Sequence, residues 1–186
     1  MKIKYLCLII MMLIATSSWA QENKTPRIPM IGEFAPSFIA ETTNGILHFP
    51  ADLGDHWKVL LSHPADFTPV CSSEILEMAY AQQEFDQLNA KLVIVSTDDL
   101  DAHKNWKNSL ETLSYKGREP VKISFPLVDD HSRAIAYLYG MIHPNSGTTK
   151  DVRCVFIIDP FNVVRALLFY PPATGRNIEE IVRVIV

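Results

Sequence analysis

The stretch Val59-Leu-Leu-Ser-His-Pro-Ala-Asp-Phe-Thr-Pro-Val-Cys71 decides the fold. It opens as a short, continuously apolar run, the pattern of a strand buried on both faces. It then passes through Thr68-Pro69, a pair suited to the N-cap and first residue of a helix. Beyond it, Ile75, Met78, Ala79, Phe85 and Leu88 recur at helical spacing through residues 69 to 88. Leu92-Val-Ile-Val-Ser96 is a second buried-type strand. Strand, helix and strand with short joints make a βαβ unit, whose strands run parallel.

Toward the C-terminus the pattern predicts a polar helix over Leu100 to Leu113 and a strand over Ile123 to Val128, ending at Asp129-Asp130. A short helix over Ser132 to Tyr139 stops at Gly140. Val155 to Pro160 and Val163 to Phe169 read as strands joined by Asp159-Pro-Phe-Asn162, a hairpin signature. Asn177, with Glu180 three residues on, starts a last helix that runs to the apolar Val184-Ile-Val186. On the N-terminal side Asn44-Gly45 marks another hairpin. The expected class is α/β, a central mixed sheet flanked by helices, in one domain over residues 31 to 186.

Composition agrees with a single core: 186 residues, 48% hydrophobic and 20% charged. A formal charge of -4 with no basic run argues against a nucleic-acid partner. Residues 1 to 20 have the layout of a secretory signal peptide. Lys2 and Lys4 precede the apolar run Tyr5 to Ile14, and Ser18-Trp-Ala20 supplies a cleavage site. The run is short for a membrane span, so export to the periplasm or medium without a stable membrane anchor is expected. Residues 21 to 30 read as an extended leader. Cys7 falls in the signal, leaving Cys71 and Cys154, which an oxidising compartment could pair.

Cys71 lies between a buried strand and a helix, where α/β sheets place ligands. In the first helical turn, backbone N–H groups and the helix dipole favour an anion, so the sulfur is expected to react as a thiolate. The plainer reading is a small buried core residue, and position alone leaves both open. Glu74 occupies the place where a Cys-x-x-Cys exchange site would have its second thiol. Thioredoxin-type exchange is therefore not expected.

Pro64-x-x-x-Thr68-x-x-Cys71 matches the active-site motif of the peroxiredoxins, and the longer run Ser62 to Cys71 resembles their 1-Cys, or peroxiredoxin-6, subgroup. Four flanking segments agree: Ile31-Gly-Glu-Phe-Ala-Pro-Ser-Phe38, Tyr139-Gly-Met-Ile-His-Pro144, Val152-Arg-Cys-Val-Phe-Ile-Ile-Asp-Pro160 and Tyr170-Pro-Pro-Ala-Thr-Gly-Arg-Asn177. The resemblance runs from about residue 30 to the end. It implies a thioredoxin-like fold and a thiol peroxidase without metal or cofactor, acting on hydrogen peroxide or small hydroperoxides. Cys71 would be the nucleophile, Thr68 would hold the sulfur and a peroxide oxygen, and Arg153 would stabilise developing charge. Pro64 would shield the sulfur, Glu74 would orient Arg153, and His63 would sit near the peroxide pocket. The partners it implies are an external thiol reductant (thioredoxin-like, glutaredoxin-like or a small thiol) and a second copy in a homodimer.

Three features depart from the family pattern. Cys154 directly follows Arg153 on an expected strand, where adjacent side chains face opposite ways. If Arg153 faces the site, Cys154 faces the core and the mechanism is 1-Cys. Subgroup members continue into a further C-terminal segment, whereas this sequence stops at Val186, which bears on the outer wall of the pocket and on the dimer. Gly54-Asp-His-Trp57 stands where some members carry Gly-Asp-Ser-Trp, so their lipid hydrolysis is not carried over. His103, His131 and His143 lack metal spacing and are expected at the surface. The alternative is a non-catalytic thioredoxin-fold redox sensor or chaperone of the cell envelope. Thr68 and Arg153 favour catalysis over it.

Overall fold

A computed structural model describes residues 27–143 and 145–185. The stretch expected to be a signal peptide (1 to 20), the first part of the expected leader (21 to 26), Pro144 and Val186 lie outside the described residues. The βαβ unit is formed by β3 (Trp57–Ser62), helix α1 (Pro69–Tyr80) with its continuation α2 (Gln82–Gln87), and β4 (Ala90–Ser96). β3 and β4 run parallel, Val59 opposite Leu92 and Leu61 opposite Ile94. β5 (Leu127–Asp129) extends the sheet parallel to β4. The hairpin β1 (Phe38–Thr42) and β2 (Gly45–Phe49) joins β5 through Thr42. On the other side β6 (Arg153–Ile158) pairs antiparallel with β3, and β7 (Val164–Tyr170) with β6. The seven-stranded mixed sheet has the order β2-β1-β5-β4-β3-β6-β7.

The central strands are apolar on both faces because both are covered. Val59, Leu61, Leu92, Ile94, Val155 and Ile157 meet Ile75 and Met78 of α1, Phe85 of α2, and Trp106 of α3 (Leu100–Leu110). Ile181 of the last helix, α5 (Ile178–Arg183), completes that face. The opposite faces of the same strands place Leu60, Val93, Val95 and Phe156 against Ile135 and Ala136 of α4 (Ala134–Leu138) and against Phe49 and Tyr139. Each fully buried Leu, Ile or Phe contributes roughly 1.5–3 kcal/mol of transfer free energy. The double-sided core therefore fixes β3 and β6, the two strands that carry the site. Among the described residues no helix is long and apolar enough to cross a membrane.

Of the boundaries that differ from the sequence reading, three have a local cause, whereas the helix read to Leu113 ends at Leu110 and the strand read from Val155 starts at Arg153. The helix expected over 69 to 88 breaks at Ala81, because the Gln82 side chain donates to the Ala79 carbonyl (2.7 Å) and to Lys122 O (2.8 Å). This takes a carbonyl the helical ladder would use and pins the break to the chain before β5. The strand expected from Ile123 begins only at Leu127, since Pro126 has no N–H for the ladder. Ile123 and Phe125 still reach the core. The helix expected from Ser132 starts at Ala134, after Arg133 turns through a left-handed φ of 63°. Both hairpins form where expected, with Gly45 (φ 104°) and Asn162 (φ 65°) supplying the positive φ their turns need.

Candidate active site

Cys71 sits in the first turn of α1, and its side chain is wholly buried. Its sulfur lies 3.2 Å from Arg153 Nη1, at the start of β6. Glu74 follows Cys71 by three residues, so both project from one face of the helix. The same Nη1 donates to Glu74 Oε2 at 2.6 Å, and Arg153 Nε donates to the Pro172 carbonyl at 2.9 Å. The guanidinium is thereby fixed from two sides with one nitrogen turned to the sulfur.

A second arginine completes the arrangement. Arg176 donates to Glu74 through its backbone N–H (2.6 Å), Nε (3.0 Å) and Nη2 (3.0 Å). Its Nη1 donates to the carbonyls of Ser62 and Cys154, both at 2.8 Å. Burial pushes the Glu74 carboxyl up, but Arg176 and then Arg153 outweigh it and hold the group below the usual carboxylate range. One carboxylate between two guanidiniums leaves a net positive charge beside the sulfur. The sequence reading quoted Gly175-Arg176-Asn177 without giving Arg176 a part. Its signal was an arginine directly before a helix cap.

Thr68 holds the N-cap position, but its hydroxyl donates to the Ala65 carbonyl (3.0 Å), not to the sulfur and not as a helix cap. The bond tightens the loop ahead of the helix. Pro64 is half-buried in that same loop. His63 is buried: its ring packs 5.0 Å from Trp106, Nε2 bonds Asp66 Oδ1 at 2.8 Å, and Nδ1 has no partner. Burial draws its pKa below the usual histidine range against the pull of Asp66.

The expectation for His103 is overturned. It is fully buried, bonded to Asp66 Oδ2 (2.7 Å) and the Val128 carbonyl (3.0 Å). Helical periodicity explains the miss, because His103 shares the inward face of α3 with Trp106 and Leu110. His131 is exposed and pairs with Asp129, while His143 is half-buried and stacks on Phe169. Among the described residues, His63, Asp66 and Asp98 are the group whose donor atoms approach metal-binding distances. Most of those atoms are already engaged, His63 Nε2 with Asp66 and the two Asp98 oxygens with Lys150 and the Asp66 N–H, while His63 Nδ1 is left without a partner.

Strand alternation separates the two cysteines. Cys154 lies in the core cluster on the other face of the sheet from Cys71, and both thiols are free. Its sulfur is 3.0 Å from Ser62 Oγ, and burial pushes the thiol up to about 12, so it remains protonated at neutral pH.

Residues 31–167 match the model of the AhpC/TSA family. A peroxiredoxin from Methanosarcina mazei is 46% identical over 160 residues, covering 86% of this chain and 73% of the relative. Among solved structures, a mutant of the peroxiredoxin 6 of Arenicola marina superposes with a TM-score of 0.77 at 37% identity, covering 84% of this chain and 71% of that one. The yeast mitochondrial 1-Cys peroxiredoxin gives a TM-score of 0.76 at 40% identity, with 85% and 75% covered.

Proposed function

The chain belongs to the AhpC/TSA family and is a peroxiredoxin, and we propose that it works by a 1-Cys mechanism with Cys71 as its peroxidatic nucleophile. The observation that carries the assignment of Cys71 is the Arg153 guanidinium 3.2 Å from its buried sulfur. The thiolate attacks one oxygen of the peroxide. As the S–O bond forms the O–O bond breaks, and the departing alkoxide or hydroxide takes up a proton to leave as alcohol or water. Sulfur gives up two electrons and becomes sulfenic acid. Arg153 already donates toward the reacting centre, so its charge meets the oxygen on which negative charge grows. In a helix that begins at Pro69, the amides of Val70 and Cys71 have no acceptor within the helix, and Thr68 does not cap them. They supply further donors for a bound oxygen, and the Thr68 hydroxyl keeps its lone pairs for the same pocket.

Return to the thiol comes from outside. An external thiol attacks the sulfenic sulfur and expels water, and a second thiol then releases Cys71 and leaves a disulfide. The position of Cys154 on the far face of the sheet supports this route over an internal disulfide. A solved relative is described as resolved through glutathione and thioredoxin systems, which makes those two classes the reductants to try first. The Lys2, Lys4 and Tyr5–Ile14 pattern supports export, and family membership supports a homodimer.

The test is to express the chain from Gln21, expose it to limiting hydrogen peroxide with a sulfenic-acid trap, and follow the mass at Cys71 from milliseconds. Stoichiometric labelling at Cys71 that Arg153→Ala abolishes is the expected outcome. Oxidation no faster than that of an ordinary thiol would leave the redox-sensor or chaperone reading in its place.

A further inference from the structure

His103 on α3 faces an acceptor at each ring nitrogen, with Asp66 Oδ2 at 2.7 Å from Nδ1 and the Val128 carbonyl oxygen at 3.0 Å from Nε2. Neither a carboxylate nor a carbonyl can donate, and a neutral imidazole carries only one N–H. Both bonds exist together only when the ring carries two protons. The surroundings suit a cation: Asp66 from the loop after β3, Asp98 from the loop after β4, and the Val128 carbonyl of β5 all face it. Lys150 is drawn off by Asp98 (3.0 Å), and the neighbouring His63 ring, 6.3 Å away, already bonds the other oxygen of Asp66. Arg176 lies beyond His63. Burial alone would pull the His103 pKa down, but the bonds to Asp66 and Val128 and the charge of Asp98 hold it above the usual histidine range.

The loop from His63 to Thr68 does not hold its shape unaided. Phe67 sits at a left-handed φ of 56°, a backbone conformation costly for a bulky residue, and the residue is 58% exposed. The loop is held on one side by Asp66, through His103. One turn further along the same helix face, Trp106 holds the other side. Its Nε1 donates to Ser72 Oγ at 3.2 Å, beside Cys71, and its ring lies 5.0 Å from His63 and 6.5 Å from Phe67.

We propose that His103, as an imidazolium bonded at both nitrogens, is a positioning residue that ties the Cys71 loop to α3 and β5, with Trp106 as the second point of attachment. The inference rests on the peroxidase reading above. It implies that the closed loop weakens as His103 loses its proton, because one of its two bonds must then go. Cys71 oxidation by peroxide should therefore slow on the alkaline side.

The test uses the reduced protein in two measurements. Nitrogen-15 NMR of the histidine rings at pH 7.5 counts the protons on His103 without reference to turnover. Stopped-flow oxidation of Cys71 by hydrogen peroxide across pH 6–9.5 then compares wild type with His103→Gln and with His131→Gln as a surface control, each checked for a cooperative melt. Two protonated ring nitrogens, a rate in His103→Gln lower by about ten- to a hundredfold, and loss of the alkaline limb in that variant alone are the expected results. A single ring proton, or an unchanged rate and profile in a folded His103→Gln protein, overturns the proposal. Slow oxidation in the unsubstituted protein overturns the peroxidase reading and this inference with it, and is distinguished because no substitution is then needed to see it.

Discussion

At the residue scale the site depends on groups whose charge is fixed by partners. Arg153 shares its Nη1 between Cys71 and Glu74 while its Nε donates to the Pro172 carbonyl. A lysine would keep the charge but lose the planar two-sided hold. Arg153→Lys should therefore lower the rate of Cys71 oxidation by roughly 10²-fold, measured by stopped flow with hydrogen peroxide, while the thermal melt moves little. Asp151 behaves in the opposite sense. It is fully buried, neither carboxyl oxygen has a partner, and burial with help from Asp130 pushes its pKa up to about 8. The folded protein keeps a proton there that the unfolded chain releases near the ordinary carboxylate pKa, so this group makes stability fall as pH rises through that interval. Asp151→Asn should gain on wild type by up to about 1.4 kcal/mol per pH unit between pH 5 and 8, read from urea melts. A constant difference across that range would count against it.

At the scale of elements, Glu74 joins α1 to β6 and to the segment before α5 through two buried guanidiniums. Removing the carboxylate leaves two buried cations facing each other, and breaking such a pair costs about 3–5 kcal/mol. Glu74→Gln should destabilise the fold by that order in denaturant melts near neutral pH. The folded Glu74 carboxyl lies below its unfolded value, so its contribution is present above the unfolded pKa and lost as pH falls through the folded one. Wild type and variant should accordingly converge in strong acid. Strand alternation along β6 makes a separate prediction. Cys154 faces the second core, bonded to Ser62 and away from Cys71. Cys154→Ala should keep peroxide turnover with an external thiol within about twofold, since its side chain meets neither peroxide nor reductant in the site geometry. Recovery of a Cys71–Cys154 disulfide by mass spectrometry after oxidation would defeat this.

For the whole molecule, Cys71 has no exposed surface, while a thiol reductant is far larger than a peroxide. On the proposed mechanism, an external thiol reaches a sulfenic acid at Cys71 only if the first turn of α1 opens. Peroxide consumption with dithiothreitol should then rise steeply with thiol concentration and saturate poorly. A smaller thiol should outpace glutathione at equal concentration when both are measured as thiolate.

Much of this was legible in the chain, for identifiable reasons. Continuous apolar runs at Val59–Leu61, Leu92–Val95 and Val155–Ile158 read as strands of a sheet covered on both faces, and the Thr68-Pro69 pair reads as the start of a helix with Cys71 in its first turn, as the structure has it. Alternation likewise fixed that Arg153 and Cys154 face opposite ways. Periodicity and motif spacing act locally, so they carried these features. They could not carry contacts between segments distant in sequence. The pairing of Glu74 with Arg176, 102 residues on, and of Asp66 with His103, 37 residues on, exists only after the sheet has brought their elements together. Thr68 likewise looked like a cap, and only the folded loop turned its hydroxyl to Ala65. The sequence by itself determined the layers and the helix start, and with it the place of Cys71 in the first turn. The tertiary structure alone decided which charges surround that sulfur and what holds its loop, because burying a charge is tolerable only where a partner from elsewhere in the chain meets it.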